Sequence, residues 1–326
     1  MKKIAIVGCG ALGSFYGAML SRAGHEVHFL LRSDYEAVRR NGVEIRNTDG
    51  TLVARPVAAC APGEIGVCDI VLIGLKTTAN DQFPVLLPPL VGPETLVVTL
   101  QNGMGNEERL ARLFPAEQIL GGLCFVCLNR IAPGVIVQTG RGVVVLGEHQ
   151  RPPMQRTHDL ATLFKNASVA CKVTESLERA HWEKLVWNVP FNGLGVASAA
   201  GCDAMITESA AIRGAIQPCL TTDKLLGDSR WALLVRELML EVIAVANALG
   251  HPIPVSYADH QIERTLPMGA YKASTLVDFE RGQPLELESL FIEPLRHAEQ
   301  ARVPAPRLTA LCRVLGQLDP AGKASA

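Results

Sequence analysis

Lys184, Asn188 and Asn192 follow one another at intervals of four residues in the segment His181-Trp182-Glu183-Lys184-Leu185-Val186-Trp187-Asn188-Val189-Pro190-Phe191-Asn192. In a helix that spacing stacks the three side chains along one face, with Pro190 able to kink the rod. Leu185, Val186, Val189, Phe191 and Leu194 make the surroundings apolar. An ammonium and two amides placed there need polar partners, because burial strips their hydration. Two arrangements would supply them. One is a cleft in which the row meets a small polar ligand; the other is a helix–helix interface satisfied by backbone carbonyls.

A second grouping opens the chain. Lys3 to Val7 form a short β-branched run, and Gly8, Cys9, Gly10, Ala11, Leu12 and Gly13 follow it with Gly-x-Gly-x-x-Gly spacing. An apolar helix over 11–23 comes next, with Gly24 as its C-cap, and 26–31 returns to strand character. In that strand–turn–helix–strand setting Gly8 makes the tight turn and Gly10 admits a pyrophosphate to the backbone. Gly13 lets the helix pack closely on the strand. The helix N-terminus offers the phosphates unpaired N–H groups and a positive dipole end. The end of the second strand then reports on the dinucleotide. An NAD site usually has Asp or Glu there, whereas this chain has Leu31-Arg32-Ser33. A guanidinium pairs with a 2′-phosphate, so NADP is expected; Asp34 is the nearest acidic residue should the strand end shift.

Two further loops leave the carboxyl ends of later strands, where open α/β sheets bind ligands. Gly74-Leu75-Lys76-Thr77-Thr78 carries Lys76, suited to a phosphate or carboxylate. Gln101-Asn102-Gly103-Met104-Gly105 carries Asn102, which has both donor and acceptor atoms for a ribose or substrate. Their place, rather than their residue type, makes them candidates.

The elements that must hold these groups alternate in the first half. Strand signals lie at 69–75, 95–100 and 119–126, with helical stretches at 80–90 and 106–113 between them. Hairpins are expected over 43–56 and, later, over 135–138 with 142–146. Residues 169–173 read as an edge strand. Beyond them the pattern is helical, with segments at 176–199, 231–249, 256–265, 289–301 and 306–315. The expected fold is α/β, an N-terminal doubly wound Rossmann-like domain over 1–175 followed by a C-terminal all-α domain over 176–326.

Composition agrees with a two-domain globular chain. The 326 residues exceed what one domain of roughly 150 needs. With 48% apolar residues and 19% charged, they build a core rather than a disordered coil. Lys+Arg number 31 against 32 Asp+Glu, so there is no basic excess to suggest a nucleic acid or anionic membrane partner. The nine cysteines are scattered and odd in number, as expected of reduced thiols in a cytoplasmic protein. Cys124 and Cys127 lack the second pair a zinc site would want, and no metal is expected. Lys2-Lys3 and the run before Cys9 imitate a targeting signal, but Ile4 to Val7 fall short of the roughly 7–15 apolar residues a signal core requires. No stretch reaches the about 18 apolar residues of a membrane span.

Taken in order, Gly-Cys-Gly-Ala-Leu-Gly, Gly-Leu-Lys, Gln-Asn-Gly-Met-Gly and Lys-x-x-x-Asn-x-x-x-Asn resemble the ketopantoate reductase (2-dehydropantoate 2-reductase) family over nearly the whole chain. The resemblance implies reduction of ketopantoate to pantoate by hydride transfer from NADPH to the C2 ketone, as in pantothenate biosynthesis. It makes Lys184 the catalytic lysine and Asn188 and Asn192 substrate amides, and it places Lys76 and Asn102 at the cofactor and substrate. Ser274 falls at a substrate-contacting serine, and Glu286 at a carboxylate near the nicotinamide end. A lysine at its ordinary pKa of about 10.4 is protonated at neutral pH and suits a general acid. The partner implied is a small 2-oxoacid, and the apolar helical half leaves room for a homodimer.

Two departures bear on the substrate. By spacing, Cys202 stands where the family pattern has a further substrate asparagine, and Gly195-Val196-Ala197 replaces a segment that often carries threonine. A related reductase of another 2-oxoacid is therefore one rival reading. A non-catalytic NADPH-binding sensor is the other, but a pure cofactor binder has no use for a proton donor at Lys184.

Overall fold

The computed structural model describes residues 1–140, 142–209 and 217–319. The chain divides into two compact units, Met1–Ala180 and His181–Ala326. Twelve strands are described, all in the first unit: β1 (Lys3–Val7), β2 (Glu26–Leu30), β3 (Val43–Asn47), β4 (Gly50–Ala54), β5 (Val57–Ala59), β6 (Cys68–Ile73), β7 (Val91–Thr99), β8 (Ile119–Phe125), β9 (Leu128–Ala132), β10 (Val135–Gln138), β11 (Val143–Glu148) and β12 (Ala170–Val173).

Eight strands form the main sheet, in the order β12-β11-β8-β7-β6-β1-β2-β5. Every described pairing in it is parallel except β8 with β11. The order reverses at β1, which lies between β2 and β6, so the loops after these strands leave in opposite directions and open a crevice at their carboxyl ends. Unbroken apolar runs are what such strands require, because both faces are covered. Ile4, Ile6, Phe29, Ile70 and Leu72 fill the core on one face, and Ala5, Val7, Val71, Ile73 and Val97 fill it on the other.

The β3–β4 hairpin forms as expected, its turn tightened by the Asp49 N–H donating to Asn47 Oδ1 at 3.0 Å. The second expected hairpin does not form. β10 pairs with β9 across the Pro133-Gly134 turn and runs parallel to β3, while β11 joins β8 in the main sheet. Pro133-Gly134 is turn chemistry in its own right, and Gly134 takes φ +69° there. The helical stretch expected over 80–90 is broken into a 3₁₀ turn at Thr77–Gln82, one helical turn at Phe83–Leu86 and another 3₁₀ turn at Pro88–Leu90. Pro84, Pro88 and Pro89 remove the N–H groups a continuous helix would use.

The described part of the second unit is helical. Its main helices are Leu177–Ala197, which begins in the last residues of the first unit, Ser229–Ala248, Ser256–Thr265, Ser274–Glu280, Glu293–Gln300 and Pro306–Leu318. Asp228 caps Ser229–Ala248 by accepting from the Arg230 and Trp231 N–H groups. Glu241 does the same for the Pro306–Leu318 helix, accepting from the Arg307 and Leu308 N–H groups at 2.8 Å each. No helix among the described residues is long and apolar enough to cross a membrane.

Candidate active site

The turn after β1 is built on backbone contact. Gly8 has φ +97°, and a Cβ there would lie 2.2 Å from the Leu75 nitrogen. A Cβ on Gly13 would lie 2.2 Å from the Gly8 carbonyl oxygen. Nothing larger than hydrogen fits at either place, so the first helix (Ala11–Arg22) and the loop after β6 close directly on the glycine turn. Gly10 is different. It is exposed, and a Cβ there would meet nothing within 4 Å.

The first turn of this helix has no acidic residue and no side-chain cap. Its leading N–H groups and positive dipole end therefore suit an anion. Ser14 Oγ donates to the Cys9 carbonyl at 3.0 Å and steadies the turn. The Cys9 thiol points inward, with Sγ 3.5 Å from both the Ile6 and Leu30 carbonyl oxygens, and burial pushes its pKa well up. Cys9 can thus serve a ligand only through its backbone. Ala11 and Leu12 are half-buried, and Leu12 packs on the core. A turn of this shape fits the pyrophosphate of a dinucleotide.

Beyond β2, Arg32 is exposed and Asp34 is buried. Both Asp34 oxygens accept from Arg130 Nη1 at 2.7 Å; Oδ2 also accepts the Gly134 N–H at 3.2 Å, and Oδ1 the Ser33 hydroxyl at 3.0 Å. Burial pushes the Asp34 carboxyl up, but these hydrogen bonds and the Arg130 charge outweigh it and hold the pKa below its ordinary value. Asp34, the acidic alternative in the sequence, is committed to protein groups.

Lys76 is exposed at the head of the turn after β6. Asn102 is half-buried in a loop fixed by a chain of buried amides. Thr99 Oγ1 donates to Gln101 Oε1, Gln101 Nε2 to Asn80 Oδ1, Asn80 Nδ2 to Asn106 Oδ1, and Asn106 Nδ2 to the Asn102 carbonyl, over 2.7–3.1 Å. Neither Asn80 nor Asn106 stood out in the sequence, and Gln101 entered only as part of a loop motif. Their signal was polar residues clustered beside a strand end, which is also the pattern of an ordinary turn.

In the second unit Lys184 is half-buried, while Asn188 and Asn192 are buried on the same helix. Asn192 Oδ1 accepts the Thr275 N–H at 3.0 Å and the Ser274 hydroxyl at 3.2 Å. A backbone N–H can only donate, so this contact fixes which end of the amide is oxygen. Asn192 Nδ2 then faces Asn188 Oδ1 at 3.5 Å. Asn188, Asn192 and Ser274 are thereby brought into one cluster, although 82 residues separate Asn192 from Ser274. Glu286 is buried. Cys202 is half-buried, and burial pushes its thiol pKa up, with the charges of Arg230, Asp203, Asp228 and Arg307 nearby. Cys202 makes no hydrogen bond to the amide cluster.

A dinucleotide turn on a doubly wound sheet, followed in sequence by a helical unit with a lysine–amide row, defines a two-domain NAD(P)-dependent oxidoreductase. Residues 4–151 match the family described as ketopantoate reductase PanE/ApbA, and residues 214–319 match its C-terminal counterpart. The chain belongs to the ketopantoate reductase family. A 2-dehydropantoate 2-reductase of Nostoc sp. is 36% identical, covering 98% of this chain and 95% of its own. The crystal structure of 2-dehydropantoate 2-reductase from Geobacter metallireducens GS-15 gives a TM-score of 0.87 at 44% identity, covering 97% of this chain and 99% of that one. D-mandelate dehydrogenase with NADH and anilino(oxo)acetate shares the fold, with a TM-score of 0.82 at 19% identity over 98% of this chain and 99% of that one.

The contrast between Gly10 and Gly13 yields a prediction. Gly10→Ala leaves the stability within about 0.5 kcal/mol, the usual range for a substitution away from packed groups. It still weakens dinucleotide binding by crowding the exposed turn. Gly13→Ala lowers both stability and binding, because its Cβ collides with the Gly8 carbonyl. Thermal unfolding and dinucleotide titration of the two variants check this; equal melting temperatures would contradict it.

Proposed function

We propose that this chain reduces the C2 ketone of 2-dehydropantoate to the 2-hydroxy acid pantoate, with NADPH as reductant. Similarity to 2-dehydropantoate 2-reductases along almost the full length supports the reading. The observation that carries it is the amide cluster on the Lys184 helix. Asn192 is oriented by Thr275 and Ser274, and Asn188 accepts from Asn192 through Oδ1, which leaves the NH2 end of its amide as a donor. Donors held in this way suit the carboxylate and hydroxyl oxygens of a small hydroxylated oxoacid.

NADPH, when bound, supplies a hydride to the ketone carbon. Gly8, Gly10 and Gly13 bring backbone and helix N–H groups to its pyrophosphate, and Lys76 and Asn102 line the neighbouring strand ends. Lys184 Nζ holds the proton that neutralises the developing alkoxide, so it acts as electrostatic stabiliser and general acid together. Asn188, Asn192 and Ser274 orient the substrate, and Glu286 is the buried acceptor for a substrate or ribose hydroxyl. NADPH is favoured over NADH because Arg32 is exposed, whereas Asp34 is occupied by Arg130, Ser33 and Gly134.

Lys184→Ala lowers kcat by about a hundredfold or more, the usual scale for losing a general acid, with little change in NADPH affinity. Steady-state kinetics on the folded variant check this, and undiminished turnover would remove Lys184 from the chemistry. Arg32→Ala weakens NADPH by about ten- to a hundredfold and NADH much less, since one charge-assisted contact contributes about 1.5–3 kcal/mol. Equal losses for the two cofactors would assign Arg32 another task.

A further inference from the structure

Asp34 lies two residues beyond Arg32, so their Cα atoms are at most about 7.6 Å apart. The turn between them is tighter still, with the Tyr35 N–H donating to the Arg32 carbonyl at 3.4 Å. Arg32 and Asp34 stand on one turn, so an uncompensated carboxylate there would oppose the charge of a 2′-phosphate held by Arg32. Left without partners, the same carboxylate could accept hydroxyl groups from a ribose that lacks the phosphate.

The structure removes both options by a contact from a different sheet. Arg130 lies on β9, 96 residues along the chain, and its Nη1 bridges both Asp34 oxygens at 2.7 Å. Gly134, in the turn after β9, adds its N–H. The Arg130 side chain remains 41% exposed and makes no other described hydrogen bond, whereas the Asp34 side chain is 7% exposed. The pair therefore presents guanidinium, not carboxylate, to solvent.

We propose that Arg130 is a specificity-determining residue for the cofactor: it neutralises Asp34, and so lets the Arg32 turn select a phosphorylated ribose. This rests on the NADPH reading above. Its effect is electrostatic, which separates it from a purely structural brace. Removing the Arg130 charge while keeping its apolar stem converts the turn into one that tolerates NADH. Removing the Asp34 charge as well restores the original preference.

The test compares binding of 2′-phospho-ADP-ribose and ADP-ribose to the full chain by titration calorimetry at about pH 8, well above the carboxylate range. The readout is the ratio of the two dissociation constants. Wild type binds the phosphorylated probe more tightly. Arg130→Met lowers that preference at least about tenfold, and the double variant Asp34→Asn/Arg130→Met returns it to within about threefold of wild type. The ratio of kcat/KM for NADPH and NADH moves in parallel.

An unchanged preference in Arg130→Met overturns the proposal. So does a double variant that stays as unselective as Arg130→Met, because the contact would then act through turn geometry alone. A wild type that binds both probes equally overturns the NADPH reading itself, and that failure shows without any substitution. If Arg130→Met does not fold, the double variant, which carries no buried unpaired charge, decides the matter: a retained preference supports the proposal, and a lost one refutes it.

Discussion

Backbone closeness at the end of β1 is the constraint on which the cofactor half depends. Gly8, Gly13 and Gly74 stand where a Cβ would fall 2.2–3.0 Å from a neighbouring backbone atom. Only because all three lack side chains can the first helix end on the turn and the β6 loop lie against it. That closure brings the helix N-terminus to the strand ends where the sheet order reverses. Arg32, Lys76 and Asn102 then need only stand on the loops around that point. A methyl group at Gly13 would push the helix away and disturb the whole arrangement; one at Gly10 would meet no protein atom.

Satisfaction of buried polar groups does for the loops and the helical unit what the glycines do for the turn. Each buried amide between Thr99 and Asn106 has a protein partner, so the loop carrying Asn102 is braced by protein groups. In the second unit the Thr275 N–H fixes the Asn192 amide, and Asn192 in turn faces Asn188. Polar groups ordered before substrate arrives lower the cost of orienting it.

Much of this was legible in the residues because it is local. The glycine spacing, the strand–helix–strand alternation and the four-residue period of Lys184, Asn188 and Asn192 are properties of short segments, and the structure keeps all three. Ser274 could be placed beside the amides only through the family resemblance, since the contact spans 82 residues. Non-local facts stayed hidden. Asp34 looked like a candidate for the ribose until Arg130, 96 residues away, was seen to hold it. The strand over 135–138 found its partners in β9 and β3 because the Pro133-Gly134 turn directs it there, although the segment after it read equally well as a hairpin arm. Cys202, aligned by spacing with a substrate asparagine, is half-buried among the charges of Asp203, Asp228, Arg230 and Arg307.

Reduction of 2-dehydropantoate by NADPH is open to direct measurement as oxidation of NADPH by the purified chain with single 2-oxoacids. 2-Dehydropantoate and 2-oxoisovalerate differ by the terminal hydroxyl that Asn188, Asn192 and Ser274 are proposed to recognise. The expected result is turnover of 2-dehydropantoate to pantoate, identified by mass, with the higher kcat/KM of the two. Loss of that hydroxyl leaves buried donors and acceptors unpaired. Turnover of 2-oxoisovalerate at equal or greater kcat/KM, or no oxidation of NADPH by 2-dehydropantoate, would contradict it.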